Sequence, residues 1–134
     1  MNDELMEKAL ELLESKKGYT PVIYSPSYGA GFTTWNTQLK PHDEIMIRAI
    51  IEEGIITEVY DDGGYDDDIE VKIDKQSLAK IIEKLGYSTE HLYLGCCDNE
   101  FMIEFVKKGD LFRINEYDGS ESIEVFNTDD YFTA

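Results

Sequence analysis

The chain has 134 residues, 42% hydrophobic and 31% charged, with 29 acidic against 12 basic side chains and a formal net charge of −17. That length suits one domain with one core, and no apolar run is long enough to span a bilayer, which argues against a membrane role. So negative a field repels polyanions, so direct nucleic-acid binding is not expected; the charge is either a solvated surface or an acidic face that docks on a basic partner.

The opening Met1-Asn2-Asp3-Glu4-Leu5 lacks the basic and apolar regions of an export signal, so the chain is expected in the cytoplasm. Leu5, Ala9, Leu12 and Leu13 recur at helical spacing with Glu4, Glu7, Glu11 and Glu14 on the other side, which predicts a helix over 3–16. Gly18 supplies its stop, and Tyr19-Thr20-Pro21-Val22-Ile23-Tyr24 has the composition of a first strand. Beyond a loop rich in glycine and aromatics, Pro41 opens a second helix with Asp43 and Glu44 at its positive end. Ile45, Met46, Ala49 and Ile50 are its expected buried stripe and Gly54 its end.

Residues 55–60 and 69–73 read as the arms of a hairpin around Asp61-Asp62-Gly63-Gly64. Asp74 caps a third helix, with Leu78, Ile81, Ile82 and Leu85 on one face and Gly86 at its end. Strand-like runs at 92–95, 101–107, 111–117 and 122–126, separated by turn residues such as Asp98-Asn99, Gly109-Asp110 and Asp118-Gly119, predict a C-terminal antiparallel meander. Residues 128–134 read as a fraying end. The expected fold is a single α+β domain: an antiparallel sheet covered on one face by about three helices.

The most distinctive segment is Tyr24-Ser25-Pro26-Ser27-Tyr28-Gly29-Ala30-Gly31-Phe32-Thr33-Thr34-Trp35-Asn36. Its glycines let a backbone approach a ligand, its hydroxyls at Ser25, Ser27, Thr33 and Thr34 offer donors, and Tyr28, Phe32 and Trp35 offer a platform. Lacking the Gly-Lys-Ser/Thr ending, it is no phosphate loop, and a tight turn with its aromatics tucked into the core is the equal alternative. On the strand at 111–117, Phe112 and Ile114 are expected to face the core, with Arg113, Asn115 and Tyr117 opposite. Arg113 is either a fork for an anion or, the favoured reading, the partner of a strand carboxylate such as Glu104 or Glu124.

Asp61, Asp62, Asp66, Asp67, Asp68 and Glu70 form the densest acidic cluster, but their spacing matches no calcium loop, and a solvated turn is expected. His91, Cys96 and Cys97 lack the spacing of a zinc site, and adjacent cysteines are expected to stay reduced. No metal or cofactor is expected, and no catalytic constellation emerges, so the chain reads as a binding protein rather than an enzyme.

The loop from Tyr24 to Asn36 and the segment Phe112-Arg113-Ile114-Asn115-Glu116-Tyr117-Asp118-Gly119-Ser120-Glu121-Ser122-Ile123 resemble a family of small uncharacterised proteins of tailed bacteriophages. The helical middle is similar by layout, including Gly86-Tyr87 and Tyr93-Leu94-Gly95; where the family more often has Trp, this chain has Phe32. The resemblance implies an accessory protein of host takeover or counter-defence, acting in the host cytoplasm by stoichiometric binding. It also implies that the two motifs lie side by side, with a site made of Ser25, Ser27, Tyr28, Gly29, Gly31, Phe32, Thr34, Trp35, Asn36, Arg113, Asn115, Tyr117, Asp118 and Glu121. Two partners fit these residues: the favoured reading is a nucleotide-like signalling molecule sequestered by the loop and Arg113, and the alternative is a basic host protein blocked by the acidic surface. A nucleotide-processing enzyme is a third reading, and a homo-oligomer is compatible with each.

Overall fold

The computed structural model describes residues 3–62, 67–94, 100–125 and 132–133. In chain order the elements are α1 (Asp3–Ser15), β1 (Tyr19–Tyr24), α2 (Glu44–Glu53), β2 (Ile55–Tyr60), β3 (Asp68–Lys72), α3 (Lys75–Lys84), β4 (Glu100–Lys107), β5 (Leu111–Tyr117), β6 (Ser120–Val125) and β7 (Phe132–Thr133). The class is α+β. A four-stranded antiparallel sheet has the order β1-β4-β3-β2, and a smaller antiparallel sheet has the order β6-β5-β7.

The C-terminal run of strands is thus divided between two sheets. β4 is hydrogen-bonded on one side to β1 and on the other to β3, so β5 has no edge of β4 to join. The chain instead turns at Lys107–Asp110, where Gly109 adopts φ +95°, and starts the second sheet.

One face of the large sheet is apolar by strict alternation. Ile23, Ile69, Val71, Phe101 and Ile103 point to it, and Ala9 and Leu12 of α1, Met46, Ile47, Ile50 and Ile51 of α2, and Leu78, Ile81 and Ile82 of α3 close over them. Each such aliphatic side chain, fully buried, contributes roughly 1.5–3 kcal/mol. On the opposite face, at one end only, Val22 and Val106 pack with Phe112, Ile114 and Ile123 and so fasten the second sheet to the first.

Helix α2 departs from expectation in its register. Pro41 lies before the helix, where its carbonyl accepts from the Ile23 N–H at 2.8 Å; Asp43 is the N-cap, its carboxylate accepting from the Met46 N–H at 3.0 Å. The buried stripe is therefore Met46, Ile47, Ile50 and Ile51, and Ile45 is 69% exposed with Ala49 only half-buried. Apolar residues stand at so many positions of this segment that the cap, not the pattern, sets the inward face.

Residues 92–94, expected to begin a strand, are irregular, and Phe132–Thr133, expected to fray, pair with β5. Asp67, expected on a solvated turn, is buried: it forms an ion pair with Lys16 at 3.1 Å and accepts from the Asp62 N–H at 2.9 Å. Burial pushes its carboxyl up, but the Asp62 amide and Lys16 together outweigh that and hold it below the ordinary range. Gly63, Gly64, Asp66, Cys96, Cys97, Asp98 and Asn99 lie outside the described residues.

Candidate functional site

The two motifs meet backbone to backbone. Gly29 donates to the Asp118 carbonyl at 2.7 Å, Gly31 to that of Gly119 at 2.8 Å, and Glu121 to that of Ser25 at 2.8 Å. The Ser120 hydroxyl adds a bond to the Pro26 carbonyl at 2.6 Å. Gly119 is indispensable to this contact: its φ is +84°, and a Cβ there would sit 2.8 Å from Gly29 N and 2.9 Å from Ala30 N. Asp118 shares the turn with φ +50°, and the Glu116 carboxylate accepts from the Gly119 N–H at 2.6 Å.

At the centre of the junction lies Glu121, only 2% exposed. Its Oε1 accepts from the Ser25 N–H at 2.9 Å and the Ser25 hydroxyl at 3.1 Å. Its Oε2 accepts from the N–H groups of Thr33 (3.0 Å) and Thr34 (2.8 Å) and from their hydroxyls at 3.5 and 2.7 Å. The glycine- and hydroxyl-rich loop, expected to offer its donors to a ligand, is thus an anion nest, and the anion it holds is the chain's own carboxylate. Glu121 stands in β6 on the side that also carries Ile123, so it enters this nest from the inward face of the second sheet.

The aromatic residues separate into two groups. Phe32 belongs to the main core, 4.7 Å from the Phe101 ring, and so takes no part in a surface platform. Tyr28 (70% exposed), Trp35 (42%), Tyr93 (39%) and Tyr117 (72%) remain open to solvent. Trp35 folds back over Gly31, where a Cβ would lie 2.2 Å from the indole, and meets Tyr93 edge-on with centroids 4.9 Å apart. The Tyr93 hydroxyl donates to the Gly29 carbonyl at 2.9 Å. Tyr28 and Tyr117 each adjoin in sequence a partner of the Gly29–Asp118 hydrogen bond, so their backbone, like the Trp35–Tyr93 pair, belongs to this junction.

Asn36 is buried and structural. Its amide donates to the carbonyls of Phe32 (2.7 Å) and Tyr93 (2.6 Å), while its oxygen accepts from the Tyr93 N–H at 2.8 Å. Tyr93, which the sequence reading did not place in the site, is held there by these bonds; the Gly-bounded Tyr93-Leu94-Gly95 word was its only signal.

Arg113 is bound to Glu124 at 2.8 Å, directly opposite it in the β5–β6 register. The favoured ion-pair reading therefore holds for Glu124, and Arg113 lies four residues from Tyr117, roughly 13 Å along the strand from the junction. Asn115, half-buried opposite Ser122, lies between them. Ser27 contributes its carbonyl, which accepts from the Ala30 N–H at 3.3 Å.

A second surface adjoins the first. On the open part of the large sheet's outer face, Asp68 stands opposite Glu104 and Glu58 opposite Glu70, with Glu100 nearby. The Glu58 carboxyl, burial and the neighbouring Asp68 and Glu100 push the Glu70 carboxyl up. Tyr24, buried and donating to Glu104, likewise has its hydroxyl pushed far up. A groove of about 240 Å³ runs along Glu70, Lys72, Glu100 and Met102 to Pro26, at the base of the loop. Among the described residues no group of His, Cys, Asp or Glu is placed to hold a metal ion, and no helix is long and apolar enough to cross a membrane. Comparison with protein-family models, curated proteins and solved structures gave no match.

Proposed function

We propose that this chain is a stoichiometric binding protein that docks on a basic protein partner through Tyr28, Trp35, Tyr93 and Tyr117, with the adjoining carboxylates supplying charge complementarity. The observation that carries this reading is the set of four exposed rings on a backbone that Glu121 and Gly119 hold rigid. Tyrosine and tryptophan bury much area at little conformational cost and dominate protein interfaces, and a preordered loop loses little entropy on binding. The net charge of −17 steers such a surface toward a basic partner and away from nucleic acid and anionic lipid. In the bacteriophage setting that the motifs suggest, that partner is a host protein with a nucleic-acid-binding groove, and blockade rather than turnover is the mode of action.

The small-ligand reading retains one supporting observation, the open indole face of Trp35 beside Tyr93, which suits a stacked base. Against it, the donors that would meet a phosphate are occupied by Glu121, and Arg113 is bound to Glu124. Capture experiments from host lysate with wild type and with the Tyr28→Ala/Tyr117→Ala double variant test the proposal, because these two side chains are the most exposed. Retention of a basic protein by wild type and its loss from the folded variant are expected. Equal retention by both, or a nucleotide released on denaturing the wild type with no protein retained, would favour the alternatives.

A further inference from the structure

On the helical side, α2 and α3 enclose an open groove of about 570 Å³ with Ala49, Ile81 and Leu85 on its apolar floor. One wall carries Glu52 and Glu53 from α2; the other carries Lys80 and Lys84 from α3, with Glu83 at the same helix. Among the described residues, none of Glu52, Glu53, Lys80 and Lys84 makes an ion pair within the chain. The two glutamates also end a helix that has no basic residue in its last turn, so they face the negative end of its dipole uncompensated. Ile45, one helical turn before Ala49 on the same side of α2, leaves 69% of its surface in water.

We propose that this groove is the interface of a two-fold homodimer, in which α2 of one copy lies over α3 of the other. The charge pattern selects the axis. A two-fold axis running along the groove places the acidic wall of each copy on the basic wall of its partner, twice per dimer; an axis across the groove would set acid on acid. Because both walls flank the same stretch of one groove, the facing charges then stand at the same height. Ile45 and the floor residues supply the apolar contact.

A face of two ten-residue helices, each roughly 15 Å long, lies at the small end of stable interfaces, so a dissociation constant on the order of 10 μM is expected. The repulsion between two chains of charge −17 opposes the dimer. It is screened beyond roughly 8 Å at physiological salt.

Analytical ultracentrifugation of the full chain tests the inference with two charge-reversed variants, Glu52→Lys/Glu53→Lys and Lys80→Glu/Lys84→Glu. Wild type should dimerise with rising concentration. Each variant alone should weaken dimerisation by at least roughly tenfold, because its two walls then carry like charge. An equimolar mixture of the two should restore a dimer, since every wall again meets its opposite. Circular dichroism and urea midpoints confirm that each variant is folded. Ala49→Gln, which fills the floor without altering charge, provides an independent disruption should a reversed variant misfold. A wild type that stays monomeric at concentrations on the order of 1 mM, variants that dimerise as wild type does, or a mixture that stays monomeric would overturn the inference.

Discussion

Replacing Glu121 by Gln keeps the side-chain length and removes only the charge and one acceptor. The amide oxygen can take the place of Oε2 and keep the Thr33 and Thr34 bonds, but its NH2 group then faces the Ser25 N–H, donor against donor. One buried N–H left unsatisfied costs about 1–3 kcal/mol, and the remaining bonds lose their charge assistance. The expected loss for Glu121→Gln is about 2 kcal/mol, a drop in melting temperature of roughly 6–8 °C for a domain of this size. Glu121→Ala strands the N–H groups of Ser25, Thr33 and Thr34 together, because only their hydroxyls can turn to new partners. Relief of the carboxylate's own desolvation offsets part of this, leaving about 4 kcal/mol. Glu121→Asp, one methylene short, cannot reach both halves of the nest and should resemble the alanine variant. Urea unfolding followed by tryptophan fluorescence measures the series, since Trp35 is the single tryptophan and lies at the junction. A Gln variant within about 0.5 kcal/mol of wild type would refute the reasoning, for the carboxylate would then not be what holds the loop.

Other consequences follow from the same geometry. Gly119→Ala forces a Cβ against Gly29 and Ala30 at a φ of +84°, and should cost about 2–3 kcal/mol while also reducing partner capture, as measured by urea midpoint and pull-down together. Lys16→Met leaves the buried Asp67 carboxylate without its cation and should cost about 3–5 kcal/mol at neutral pH. Because Asp67 is held below its ordinary range, the stability it contributes to wild type is present above the unfolded-state value and is lost as pH falls through the folded one; acid unfolding of wild type against Lys16→Met reads this directly. Glu70→Gln removes one of two carboxylates that face each other across β2 and β3, and should stabilise the fold by about 0.5 kcal/mol at neutral pH. Since the Glu70 carboxyl is raised, its cost is present when it is ionised and disappears as pH falls through the folded value toward the unfolded one, so the variant's advantage should vanish in acid.

Much of this architecture is legible in the chain because local signals agree. Tyr19–Tyr24 is bounded by Gly18 and a change of composition, and Asp74 with Leu78, Ile81 and Ile82 fixes α3 by cap and period together. The neighbourhood of the loop and the 118–121 turn was also legible through the two motifs. Long-range choices were not. Whether β4 pairs with β5 or with β1 and β3 depends on edges that no local window contains, and the inward face of α2 depends on where Asp43 caps it. The acidic residues hide their roles for a related reason. Glu121 and Asp67 are buried anions with assigned donors, yet among 29 acids nothing in composition separates them from solvated ones. For Glu121 there were two clues: the second motif had already put it among the site residues, and it shares the inward side of β6 with Ile123.

The central claim is that the exposed rings on the Glu121-braced junction bind a basic protein. The most direct measurement is the amount of that protein retained from host lysate by wild type and by Tyr28→Ala/Tyr117→Ala at equal loading, at physiological and at high salt. Truncating two such rings should weaken retention by at least roughly tenfold with the urea midpoint unchanged, and raised salt should weaken wild-type retention as well. Equal retention by a folded double variant, or retention indifferent to salt, would contradict the account.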